Sequence, residues 1–266
     1  YNSNERGLNM SSYFVYDSIN QYRADSVVRA GTFSGNAFTA NNAVITNFSR
    51  AKDQNIGTVM TGMVDGEAII YTVADVSVQA DAVAVHFAGI DGVTADDNEL
   101  TLHTGRIDGA MSSQVVTFGS TDNNWKVGTF THTDDRIQFA LEFNETITNV
   151  SEIMFGSKLS FEVEPDVNVQ SSINYNNITN SSMGGVEYVV NVNPGQEVTT
   201  IGFQNISSTF KTNLTTMQDA LKGEAKKFVW YDGSSFHWVR LDKPMTFTEI
   251  ADGRFSTQLV LRQQIQ

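Results

Sequence analysis

Cysteine is absent from the chain, so neither a disulfide framework nor a thiolate metal site can form. That composition fits a protein made in a reducing compartment that can later end up outside the cell. Proline is nearly absent too, with 3 in 266 residues. Basic residues are few: 17 Lys and Arg stand against 30 Asp and Glu, a net charge of −13. Binding a nucleic acid duplex needs clustered cations that release counterions. Here only Lys226-Lys227 and Arg240 to Lys243 come close, and both are short and flanked by strand-forming residues. No nucleic-acid partner is expected. The acidity suits solubility and repulsion away from incorrect contacts. Long apolar runs are missing as well. None approaches the ~20 residues that span a bilayer as a helix, so no membrane insertion is expected.

What the chain does have is 40% hydrophobic and 11% aromatic residues, enough to build packed cores. It has 20 glycines and much Asn, Thr and Ser, set between short runs of Val, Ile, Phe and Thr. That is an all-β profile. The length suits two domains of about 100–150 residues. Ala82 to Phe87 reads AVAVHF, with Val83, Val85 and Phe87 on one face. Arg136 to Phe143 places Ile137, Phe139, Leu141 and Phe143 on one face. Both have the period of two that marks a strand with one face buried. Ala68 to Val73, Leu100 with Leu102, Val115 to Phe118, and Ile153 with Phe155 add further short strands. Such a series, separated by turn residues, argues for a sandwich. Residues 1–26 read as an arm or a first strand around Tyr13-Phe14-Val15-Tyr16.

Residues 27–158 make one candidate domain. Within it, Trp125, Val127, Arg136, Phe143, Val150, Glu152, Ile153, Phe155 and Gly156 follow a W-x-V, then R, F, then I-x-E-I-x-x-F-G-like flow. In order and spacing this resembles the discoidin-like, galactose-binding-like jelly rolls. The resemblance implies a β-sandwich able to hold a glycan or a protein partner, and it transfers no binding residue.

Residues 159–266 make the second candidate domain. Leu159 to Pro165 is expected to open it as a strand, and the polar stretch from Asn168 to Gly185 reads as a boundary or long loop. Strands are expected at Val186–Val192 and Thr199–Phe203, then a helix over 209–222. Ser207 or Ser208 offers the N-cap oxygen. Phe210, Leu214, Met217 and Leu221 form one helical stripe, and Gly223 suits a left-handed C-terminal cap. Asp232-Gly233-Ser234-Ser235, between Phe228/Trp230 and Phe236/Trp238, signals a hairpin, and Asp252-Gly253 signals a second.

Phe203, Ile206, Phe228, Trp230, Asp232, Val239, Arg240, Leu241, Leu259, Leu261 and Gln263 follow the flow of a strand, a covering helix and closing hairpins. This domain resembles the ring proteins of long-tailed bacteriophages, the distal tail and minor tail protein M-like group. The fold class implied is all-β: two sandwich or barrel domains, the second with one amphipathic helix. The resemblance also implies six-fold rings at the end of the tail tube. Its partners would be further copies of the chain, tail-tube and tail-tip proteins, and through the jelly roll a host-surface glycan. Localisation would be the virion tail, after synthesis in the bacterial cytoplasm.

Chemistry is sparsely signalled. None of the four histidines, His86, His103, His132 and His237, stands in a metal-spaced pair, and His86 and His237 alternate with apolar neighbours as sheet positions do. No nucleophile elbow or phosphate loop occurs. Asp91, Asp96, Asp97 and Glu99 are the best candidate set for a hard cation, though out of register for a calcium loop and better read as an acidic solvated turn. Trp125 beside Asn123 and Asn124 could stack on a sugar ring, against the alternative of a core Trp anchoring its loop. No cofactor is expected. The chain therefore reads as a structural part rather than an enzyme. A glycan-binding adhesin and a capsid decoration protein are the alternatives.

Overall fold

A computed structural model describes residues 12–40, 45–73, 80–87, 100–105, 111–116, 124–131, 137–144, 149–165, 170–175, 177–185, 187–191 and 195–264. Among these the protein is mainly β, with several antiparallel sheets and one α-helix. Among the described residues no helix is long and apolar enough to cross a membrane. The chain divides into two compact units. The first is Tyr1–Ser160 with Phe228–His237 and Gln266; the second is Phe161–Lys227 with Trp238–Ile265. The sequence draws its boundary between 158 and 159 and keeps 228–237 with the C-terminal part. The difference arises because Val229, Trp230 and Tyr231 pair in register with Val15, Phe14 and Tyr13.

The first unit contains β1 (Tyr13–Tyr16), β2 (Val27–Ser34), β3 (Ala37–Ala40), a 3-10 turn (Phe48–Lys52), β4 (Glu67–Thr72), β5 (Ala82–Phe87), β6 (Leu100–Gly105), β7 (Ser112–Val115), β8 (Trp125–Thr129), β9 (Gln138–Phe143) and β10 (Val150–Ser160). One sheet runs β3-β2-β4-β9-β6-β7, and the other includes β1-β10-β5-β8. Ile69 and Tyr71 of β4, Phe139, Leu141 and Phe143 of β9, Val83 and Val85 of β5, and Ile153 and Phe155 of β10 join one buried cluster. These are the alternate residues of each strand, so the period of two in the sequence becomes the face on which the sheets meet. The unit is a sandwich.

Strand β10 ties this unit together. One edge pairs with β5 from Val150 to Gly156, and the other meets β1 from Ser157 to Ser160. Where β1 ends, the Asp17 carboxylate accepts the N–H groups of Ile19 (3.2 Å) and Gln21 (3.1 Å), which turns the chain. The Gln21 amide then donates to the Ile153 carbonyl at 2.8 Å and accepts the Phe155 N–H at 2.7 Å. A fully buried side chain thus continues the ladder that β1 leaves. At the far end Met60 exchanges backbone hydrogen bonds with Val150. Gly156 marks the crossing of β1 over β10, since a Cβ there would fall on the carbonyl oxygen of Tyr16.

The second unit contains β11 (Gln170–Asn174), β12 (Asn177–Ser181), β13 (Glu187–Asn191), β14 (Gln196–Ser207) and helix α1 (Ser208–Ala220). After β15 (Lys227–Tyr231), whose Phe228–Tyr231 belongs to the first unit, come β16 (Phe236–Leu241), β17 (Thr246–Ala251) and β18 (Arg254–Gln263). Leu159 lies within β10, which ends at Ser160, and 161–165 has no regular structure, which corrects the strand expected over 159–165. The polar stretch expected to be a boundary or loop carries β11 and β12.

Strand β14 is the spine of this unit, paired with β11 and, along most of its length, with β18. It runs directly into α1, where the Ser207 hydroxyl accepts the Phe210 N–H at 3.1 Å, the expected cap. Phe210, Leu214, Met217 and Leu221 are all buried, and Gly223 has φ +68°. Gly253, also at positive φ, turns β17 into β18. The Arg262 guanidinium grips the Asp242 carboxylate with two bonds, 2.6 and 3.1 Å, and donates a third to Gln196 at 3.1 Å.

Two substitutions test β10. Gly156→Ala should lower unfolding stability by about 1–3 kcal/mol through overpacking against backbone that cannot rotate away. Gln21→Ala should cost about 2–5 kcal/mol, because it strands a buried carbonyl and a buried N–H. Urea midpoints that stay at the wild-type value would contradict this account.

Candidate functional site

The described histidines are each built into a sheet. His86 on β5 is 1% exposed and sits opposite Trp125 in register, with ring centroids 4.9 Å apart. Its Nδ1 lies 2.5 Å from the Ser151 hydroxyl. Burial in this apolar setting lowers its pKa from 6.5 to about 4, so the ring is neutral at physiological pH. A Ser-His contact usually suggests a nucleophile with its base. Here both side chains are buried, with His86 on the face of β5 opposite to Val83, Val85 and Phe87.

His103 on β6 stacks on Phe33 at 3.8 Å and 9°, with Nε2 2.6 Å from the Glu142 carboxylate. His237 bonds Asp232 at 2.9 Å in the turn after β15. That carboxylate also accepts the Ser234 and Ser235 N–H groups, both at 2.7 Å, and the Ser234 hydroxyl at 2.8 Å. Burial alone would raise the Asp232 pKa, but the donors from His237, Ser235 and Ser234 outweigh it and hold it below its ordinary value. Ser234 and His237 share one carboxylate, which makes this a turn lock and not a charge relay.

Trp125 is among the largest fully buried side chains and offers no face to a sugar. Asn124 adopts φ 63°, and its carbonyl accepts the Phe87 N–H at 2.8 Å, which extends the β5–β8 ladder. Asn123, His132 and the acidic set Asp91, Asp96, Asp97 and Glu99 lie outside the described residues. Among the described residues no group of three His, Asp or Glu side chains could hold a metal. A polar recess in the second unit is lined by Gln204, Thr246, Thr248, Ser256 and Gln258, none of them charged.

The surface that stands out is the ribbon made by β12 and β13. It forms a two-stranded sheet of its own, paired from Asn177↔Asn191 to Ser181↔Glu187. Tyr188 is 59% and Val189 62% exposed, although neighbouring residues of a strand point to opposite faces. Both faces of the ribbon are therefore open. Of the eight large hydrophobic side chains exposed among the described residues, five lie between Ile173 and Val189: Ile173, Tyr175, Met183, Tyr188 and Val189. Ile173 and Tyr175 converge over Gly195, where a Cβ would collide with both. The sequence marks β13 by its Val-rich run at 186–192 but hides β11, where Ser and Asn flank Ile173 and Tyr175. The available signal was charge: from 167 to 196 the only charged residue is Glu187.

In comparisons with known proteins, no protein-family model and no curated protein matches the chain.

The pH dependence of stability follows from His86. Below pH 6.5 the unfolded chain protonates this ring, while the folded chain resists protonation down to about pH 4. Stability should therefore fall as pH drops through that window, by up to about 3 kcal/mol from this group, and should not change on its account above pH 6.5. His86→Gln should flatten this part of the profile when unfolding free energies are measured from pH 7.5 to 4. An unchanged wild-type slope in the variant would refute the assignment.

Proposed function

We propose that the chain is a structural component of a tailed-bacteriophage virion, at the distal end of the tail. Copies of it assemble into a ring that joins the tail tube to the adhesion apparatus, and the N-terminal sandwich contacts a host-surface glycan or a neighbouring tail protein. The role is architectural. One observation carries the reading: the build of the second unit, in which β14 feeds a capped helix with a buried apolar stripe and the chain returns as hairpin strands that close on β14. This is the strand, helix and hairpin order on which the resemblance to tail-ring proteins rests. Free strand edges suit the role, since backbone groups left unpaired at an edge can pair with another chain. A head-to-tail contact repeated by rotation closes a ring.

Gold-labelled antibody against this chain should mark the tip of the tail on intact virions. Label on the capsid, or on no virion, would overturn the reading. Sedimentation of the purified chain should give a closed oligomer near six protomers, whereas an adhesin would sediment as a monomer or trimer.

A further inference from the structure

We infer that the ribbon β12–β13 of one copy docks on the free edge of β11 in the next copy, making this the surface through which the chain binds itself. The inference deepens the reading above and rests on its premise that copies assemble.

Four observations lead there. The first is stability: a two-stranded hairpin standing alone in water is marginal, and a third strand or an apolar support is what sustains it. Among the described residues no third strand pairs with this ribbon. The second is a receptor of matching kind. Strand β11 ends the β11-β14-β18 order, so one side of its backbone is unpaired, and Ile173 on it is 60% exposed. An extended segment adds to such an edge through main-chain hydrogen bonds, and its side chains set the register.

The third is apolar surface on both sides of the contact. Met183, Tyr188 and Val189 are exposed on the ribbon and its turn, and Ile173 and Tyr175 at β11, five of the eight large hydrophobic side chains exposed among the described residues. The fourth is charge and decides the occupant. Two copies at −13 each repel one another. The ribbon and the β11 edge lie in the stretch from 167 to 196, where Glu187 is the only charge, and the Glu197 carboxylate opposite Ile173 is bonded by the Ser171 hydroxyl, so copies meet less repulsion there than the total charge implies. A basic partner would find only the Glu187 and Glu197 carboxylates to pair with on this surface. The contact is head to tail, because ribbon and edge are different surfaces, and such contacts build rings or filaments.

The absence of cysteine makes the test clean. Full-length Val189→Cys and Ile173→Cys chains, mixed and oxidised, should give a cross-linked dimer that neither gives alone. Ile250→Cys mixed with either should stay uncross-linked. In sedimentation, the double variant Tyr188→Glu/Val189→Glu should run as a monomer with the wild-type melting temperature, while Val27→Glu keeps the wild-type mass.

Three results would overturn the inference: no cross-link in the mixture, a cross-link formed by Val189→Cys alone, or an oligomer that survives the double variant. If the double variant fails to fold, the cysteine pair decides the matter. An intact oligomer without the cross-link would leave the ring reading standing, and a monomeric wild type would end both. Antibody label away from the tail would remove the tail assignment without touching the contact.

Discussion

One buried backbone, that of β10, sets the terms for the first unit. A strand in the interior has to satisfy hydrogen-bonding groups along both edges, and an orphaned buried N–H or carbonyl costs more than a formed bond returns. On one side β5 supplies a regular ladder. On the other side three different groups share the work: β1, the Gln21 amide and the backbone of Met60. Each handover fixes something else. The Asp17 turn sets where Gln21 arrives, Gly156 lets β1 cross, and the bridge at Val150 holds the segment that carries the 3-10 turn. Tyr22 then reaches Glu152 at 2.8 Å, while the Lys52 ammonium takes the carbonyls of Gln21 and Ser26. These buried polar residues are the joinery of β10, and the hydrogen bonds they make account for their burial.

The second unit obeys the opposite constraint. Its spine, β14 with β18, is paired and capped by a helix, and the leftover bonding capacity lies at its rim. Among the described residues the strand order ends at β11, and β12 and β13 pair with each other alone. Natural sheets blunt such edges with lysine, proline or inward charge. Lysine is missing here: no Lys or Arg occurs between Lys158 and Lys211. An edge left unguarded in an otherwise acidic protein is a place where pairing is permitted.

Legibility in the sequence followed burial. Strands β5 and β9 were readable because one face of each must be apolar, and AVAVHF and QFALEF record that directly. Helix α1 was readable for the same reason at a different period, and Ser207 marked its start. What failed to show were features set by long-range pairing. No local signal says that Tyr13–Tyr16 pairs with Ser157–Ser160 and Tyr13–Val15 with Val229–Tyr231, or that Leu159 belongs to β10. Trp125 drew attention as a sugar platform because an indole beside two asparagines looks like a loop tip; its cross-strand partner His86 puts it in the interior. The ribbon was half legible: Val186–Val192 reads as a strand and β13 spans Glu187–Asn191, whereas β12 lies in the polar stretch read as a boundary or long loop.

Charge links the two halves of the problem. A net −13 on 266 residues would scatter copies of a protein whose surface were uniformly acidic. Coulomb repulsion between exposed charges fades beyond roughly 8 Å at physiological ionic strength, so contact between like-charged chains depends on the composition of the facing surfaces more than on the total. A long stretch almost free of charge lowers that repulsion wherever it faces another chain. The acidic composition and the nearly neutral ribbon therefore act on one quantity, the cost of bringing two copies face to face.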